Sequence, residues 1–255
     1  MELGIFMGYL SMKKNEMIKK IIPYHIKIKL HELKNIFRDI FKGYYFNYAK
    51  RKQLPSKFLH TLKIRQDLKP NDTKKNNLLI AIKSIESVEI NPNEIFSFWK
   101  IVGNPSSKKG YLESRSLVNN QLEKSIGGGL CQLSGLIYYI SLHAKLEVLE
   151  RYSHSMDIYT NENRFTPLGS DATVVYGYKD LKIRNNLNHP IKFTFLMEEN
   201  HITIQLNHSS LIENNKVDFK ENILDDNRIE VGTIINQEKK GKSIYKRYVP
   251  NTIKE

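Results

Sequence analysis

One stretch of the sequence is long enough and apolar enough to run through the middle of a domain. From Gly127 it reads GGGLCQLSGLIYYISLHA, with apolar side chains at Leu133, Leu136, Ile137, Ile140 and Ala144. Those positions fall on one face of a helix at i, i+3 and i+4 spacing. The three glycines mark where the helix starts and put Cys131 in its first turn. Any fold for this chain has to cover that helix, and the segments around it show what is available to do so.

Strand patterns follow it. EVLERYSHSMDIY is short and partly alternating, and ATVVYGYKDLKIRNN is strand-like on both sides of Gly177. PIKFTFL and HITIQL flank the turn-like MEEN and predict a hairpin, and RIEVGTIIN and SIYKRYV around EKKGK predict a second one. Before the glycines, NLLIAIKSIESVEI predicts a helix that buries Leu78, Leu79, Ile82 and Ile85, and NPNEIFSFWKIVG an Asn-Pro turn leading into a short aromatic strand or extended segment. Residues 51 to 76, with Pro55, Pro70 and the polar run NDTKKNN, read as a connector. Helices first and strands after predict an α+β fold, with a central helix led by a Gly-rich turn and packed on an antiparallel sheet.

The charge is unevenly placed. Residues 1 to 75 hold 18 Lys and Arg against 6 Asp and Glu, whereas residues 76 to 255 hold 22 against 21. The basic segment has helical spacing after Pro23, at Ile26, Leu30, Leu33, Ile36, Phe37, Ile40 and Phe41. Such a helix packs on the domain behind it or lies on an anionic membrane surface. It carries no nucleic-acid recognition motif, so nucleic acid is an unlikely partner. No apolar run approaches the roughly 20 residues of a membrane-spanning helix. The early run LGIFMGYL has neither a basic segment before it nor a small-residue cleavage site after it. A cytoplasmic or peripheral membrane protein without a signal peptide is the expectation.

Cys131 is the only cysteine of the 255 residues. That excludes an internal disulfide, and no Cys-and-His zinc spacing can be assembled around it, so neither a metal nor a cofactor is expected. GGGLCQLS also lacks the Lys-Ser/Thr of a phosphate-binding loop. A thiol is a nucleophile only as thiolate, and a helix N-terminus stabilises that anion with unpaired N–H groups. Glycines just before it, Gly127, Gly128 and Gly129, would let a substrate backbone come close to the sulfur. The alternative is a tight turn ahead of a small buried hydrophobe.

A nucleophilic cysteine needs a base, and the base needs an orienting partner. His143 lies about three turns along the same helix, too far to serve. His154 is expected to begin the strand after that helix, which can return it to the helix start. Asp171, expected to open the next strand, is the candidate to fix the tautomer of His154. Asp157 is nearer in sequence but on the opposite strand face. Gln132 is a candidate oxyanion donor, while Ser134 either meets substrate or bonds its own helix backbone. Arg151 and Arg164 are candidates to bind a substrate carboxylate, though such residues are more often ion-pair partners.

From about Asn76 to Phe195 the chain resembles the VanW family. The pieces that carry the resemblance are NPNEIFSFWKIVG, IGGGLCQLSGLIYYISLHAKLEVLERYSHS and SDATVVYGYKDLKIRNNLNHPI, in that order. Asn93 stands where a Pro-Gly-Glu type turn is frequent, Gly135 where a hydroxyl residue is frequent, and Tyr152 where a histidine is often found. The last departure weakens any scheme that uses two histidines. The resemblance implies three parts: a basic, partly helical N-terminal segment and connector over residues 1–75, a VanW-like α+β domain over 76–210, and a C-terminal hairpin extension over 211–255. It also implies a link to glycopeptide resistance and the bacterial envelope. By analogy with transglutaminase-like and papain-like enzymes, Cys131, His154 and Asp171 form a thiol triad acting on a peptide or peptidoglycan-precursor amide. A non-catalytic accessory module that binds cell-wall peptides is the alternative.

Overall fold

The computed structural model describes residues 23–51, 57–69, 71–118, 121–157 and 166–247. Arg164 and the first 22 residues of the basic segment lie outside them. The chain divides into two compact units, 1–45 and 46–255.

The described part of the first unit is helix α1 (Tyr24–Phe41). Pro23 precedes it, and the chain leaves it at Gly43, whose φ of +69° suits a residue without a Cβ. The amphipathic spacing read after Pro23 therefore does form a helix.

The second unit is an α+β fold, as expected. In chain order it comprises β1 (His60–Asp67), α2 (Asp72–Ile85), β2 (Ile95–Ser97), the five-residue helix α3 (Phe98–Val102), β3 (Glu113–Val118) and β4 (Gln121–Ile126). Helix α4 (Leu130–His143) follows, then β5 (Glu147–Glu150), β6 (Met156–Asp157), β7 (Lys182–Arg184), β8 (Ile191–Met197), β9 (His201–His208), β10 (Val217–Asp225), β11 (Arg228–Ile235) and β12 (Glu238–Arg247). The strands form sheets ordered β1-β9-β8, β10-β11-β12-β6 and β2-β7-β5, and the hairpin β3-β4. Pairing between named strands is antiparallel except where β6 meets β12.

Helix α4 is the centre of the main core. Leu133, Ile137 and Ile140 on it are fully buried, and it packs against α2, β1, β5 and β9. On β9, Ile202, Ile204 and Leu206 alternate with more exposed residues and point inward, as the two-residue period of a strand requires. A smaller core of Leu168, Ile229, Val231 and Tyr245, with Phe219 against it, lies under the C-terminal strands.

Four sequence expectations need correction. The stretch 51–76, read as a connector, contains β1, whose eight residues pair with β9 from His60↔His208 to Asp67↔His201. Leu79 is exposed, and Asn77 takes an inward position on α2 instead. Phe98 to Val102 turn into a helix after a three-residue strand, because the Ser97 side chain accepts from the Lys100 N–H as an N-cap. Finally, only the second half of ATVVYGYKDLKIRNN becomes a strand, β7. The first half ends in a tight turn closed by Val175 and Lys179, which exchange both backbone hydrogen bonds across Gly177. Both C-terminal strands read from the sequence are present, and β10 pairs with the first of them. Among the described residues no helix is long and apolar enough to cross a membrane.

Candidate functional site

Helix α4 starts at Gly129, whose φ of +99° turns the chain into the helix and puts Leu130 and Cys131 at its first two positions. Backbone N–H groups there precede the helix's own hydrogen-bonding pattern. The glycines before Cys131 do not face open space. A Cβ at Gly128 would lie 2.2 Å from the Ser114 carbonyl oxygen, one at Gly127 2.7 Å from Cβ of Pro105, and one at Gly129 2.6 Å from Cγ of Lys74. Asn77 completes the seating by donating to the carbonyls of Leu112 (2.9 Å) and Gly128 (3.0 Å) and accepting from the Leu112 N–H (2.8 Å). The glycine run thus lets the turn press against β3 and α2. That seating is the tight-turn role set out as the alternative for Gly127, Gly128 and Gly129.

Two loop segments lie side by side over the start of α4. One, leaving β5, carries Arg151, Tyr152 and His154; the other carries Asp171 to Val174. They are joined where the Thr173 N–H donates to the Tyr152 carbonyl (2.7 Å) and the His154 N–H to Asp171 Oδ2 (2.7 Å). Ser134, fully buried, donates to the Ala172 carbonyl (2.6 Å) and so ties the second segment to α4. Its hydroxyl is therefore a structural link and not a substrate contact. Gly135 sits under the same segment, with space for a Cβ 3.6 Å from the Ala172 nitrogen.

The structure brings the three residues of the expected triad together. His154 Nδ1 lies 2.6 Å from Asp171 Oδ2, and the His154 ring is near enough to Cys131 for its charge to act on the thiol. With Nδ1 on the carboxylate, Nε2 is the nitrogen left for sulfur. The Val174 N–H points at Sγ (3.5 Å) and the Thr173 hydroxyl is 3.6 Å from it. His154 and Asp171 are on loops, not at the starts of strands as expected.

The electrostatics follow from that chain of contacts. Burial pushes the Cys131 thiol up, but the hydrogen bond and charge of His154, with the Val174 N–H and Thr173, bring it below its ordinary value. Burial also disfavours a charged His154, and its bonds to Asp171 and Cys131 outweigh this and raise it to about 10. Asp171 is desolvated too, yet its bonds to His154 and the nearby Arg151 charge hold it at about 2. Both shifts run in the direction of a thiolate beside an imidazolium.

Arg151 is not placed for substrate. Its guanidinium donates to the carbonyls of Asp171 (2.7 Å) and Gly169 (3.0 Å), to Asp171 Oδ1 (2.9 Å) and to the hydroxyls of Ser243 (2.5 Å) and Tyr245 (3.2 Å). It also lies 4.8 Å over the Tyr138 ring. A guanidinium with so many protein acceptors has little left for a ligand carboxylate, which corrects that expectation. Gln132 donates to Gln66 of β1 (2.9 Å) and keeps one amide N–H beyond that bond. His143, at the far end of α4, meets the Asn215 carbonyl (3.2 Å), away from the sulfur. Among the described residues no group of three or more His, Cys, Asp or Glu could hold a metal ion.

Sequence reasoning missed Thr173 and Val174, which flank the sulfur, and Tyr245, whose hydroxyl donates to Asp171 Oδ1 (2.5 Å). The DATV stretch gave a usable signal for the first two. Nothing in sequence links residue 245 to residue 171.

A model of the family described as VanW like protein matches residues 73–207, more than half of the chain. The chain belongs to the VanW family. It is similar to the Vancomycin B-type resistance protein VanW of Enterococcus faecalis (strain ATCC 700802 / V583), with 33% identity over 120 residues, 47% of this chain and 44% of that protein. It is likewise similar to YoaR of Bacillus subtilis (strain 168), a protein described as uncharacterized, with 34% identity over 121 residues, 48% of this chain and 38% of that one. The chain thus covers less than half the length of either curated relative. No solved structure matches it. The VanW match takes in Cys131, His154 and Asp171, and leaves β1 and the strands β10 to β12 outside.

Proposed function

We propose that this VanW family member is a thiol-dependent acyl transferase or amidase acting on a peptide or peptidoglycan-precursor amide. The observation that carries the reading is the grouping of Cys131, His154 and Asp171, with His154 Nδ1 2.6 Å from the carboxylate and the His154 charge acting on the Cys131 thiol. The substrate class comes from the relation to a vancomycin B-type resistance protein.

In this scheme the Cys131 thiolate attacks the amide carbonyl carbon and forms a C–S bond. N–H groups at the start of α4, with the second amide N–H of Gln132, stabilise the oxyanion. The His154 imidazolium gives its proton to the leaving amine as the C–N bond breaks, and a thioester remains. Water or an acceptor amine, deprotonated by His154, then takes the acyl group and returns the thiol.

The premise is tested by the rate of Cys131 alkylation against pH. Reactivity is expected to persist well below pH 8.5, and a rate that follows a pKa above about 8.5 would overturn it. The second reading, a non-catalytic accessory module for cell-wall peptides, draws on the close enclosure of the sulfur by Thr173 and Val174. It differs in its consequence for Cys131→Ser: an accessory module keeps any envelope or resistance phenotype, whereas the enzyme loses it.

A further inference from the structure

We propose that the C-terminal strands β10 to β12 are part of the reactive site, with Tyr245 and Arg151 acting as positioning residues that fix Asp171. This rests on the thiol reading of Cys131.

Asp171 has two oxygens with separate duties. Oδ2 receives the His154 backbone N–H and the ring Nδ1–H. Oδ1 receives Arg151 Nη2 (2.9 Å) and the Tyr245 hydroxyl (2.5 Å). A carboxylate held at both ends cannot rotate about its Cβ–Cγ bond, so the ring bonded to Oδ2 is held in one orientation. The Tyr245 ring is almost wholly buried, and burial together with the Asp171 charge keeps its hydroxyl protonated, as a donor must be. Arg151 in turn is held by the Ser243 hydroxyl on the same strand, β12.

The backbone around Asp171 is gripped by the same strands. Leu168 belongs to the small core with Ile229, Val231 and Tyr245. Gly169, at φ +101°, is pressed so closely on the C-terminal sheet that a Cβ there would lie 2.6 Å from Phe219 and 2.9 Å from Val231. Strand β12 also pairs with β6, directly after the His154 loop, through Lys246↔Met156 and Arg247↔Asp157. Both loops of the site are thus fastened to β10–β12, although those strands lie outside the residues matched by the family.

Tyr245→Phe in the full chain isolates the hydroxyl while keeping the ring in its core. Without that donor the Asp171 charge is less neutralised and the His154 ring less fixed, and both effects raise the Cys131 pKa. The acid limb of the alkylation profile is expected to move up by about half a pH unit or more, a roughly threefold slower reaction on that limb. The proton NMR resonance of His154 Nδ1–H is expected to shift with it. An alkylation profile and a resonance that both coincide with wild type overturn the proposal, as does a lowered melting temperature with neither of them moved. If wild-type Cys131 has an ordinary pKa, the thiol reading fails on its own, and the His154 resonance still decides whether Tyr245 positions the pair. Should Tyr245→Phe not fold, Ser243→Ala, which removes one Arg151 acceptor, is read by the same two measurements.

Discussion

Gly128 shows how a single position is fixed by what approaches it. An alanine there puts its Cβ 2.2 Å from the Ser114 carbonyl oxygen, and backbone cannot swing aside as a flexible side chain does. Gly128→Ala is expected to cost about 2 to 3 kcal/mol in urea unfolding. Gly135 is the contrasting case, because its missing Cβ would make only ordinary contact with Ala172. Gly135→Ala in the helix interior is expected to raise stability by about 0.5 to 1 kcal/mol by the same measurement. A loss there would mean that the loop over α4 is seated more tightly than the 3.6 Å contact implies. These two glycines look alike in IGGGLCQLSG. The nucleophile, base and orienting acid were legible as residue types in order, but the difference between a glycine that seats the chain and one that admits a substrate depends on Ser114, Pro105 and Lys74, which no local pattern contains. Asn93 is a similar lesson on a smaller scale. Its φ of +65° is the conformation a glycine takes easily in such a turn, and Asn is among the side chains that tolerate it.

Among elements, the long periodic ones were legible and the short or half-covered ones were not. Helix α4 and the β8–β9 hairpin have strong apolar periods. Strand β1 has only one partly covered face, alternating with exposed Thr, Lys, Arg and Asp, so HTLKIRQD looks like a polar connector until β9 is beside it. The loops bearing His154 and Asp171 have no period to read, and they hold the site by hydrogen bonds between them. That gives them a specific acid sensitivity. Asp171 sits at about 2 in the folded protein against 3.8 when free. A depressed carboxylate contributes stability above its free value and loses it as the pH falls through that value towards the folded one. The shift corresponds to about 2 kcal/mol, lost between about pH 4 and pH 2. Urea unfolding of wild type and Asp171→Asn across that interval is expected to show a steeper fall for wild type. Parallel curves would mean that the carboxylate is not held in this way.

At the scale of the molecule, the family match covers residues 73–207, while pieces on either side of it complete what the match contains: β1 before it and β10–β12 after it. Sequence order hides this, since β1 pairs with a strand more than 130 residues later and Tyr245 meets Asp171 across 74 residues. The last of these separations also has a meaning in time. A ribosome adds about 5 to 20 residues per second. Cys131, His154 and Asp171 have therefore all been synthesised for roughly 4 to 15 seconds before Tyr245 is added. Through that interval the growing chain carries its thiol without the strand that locks the acid behind it, so the site is completed only once β12 has been made.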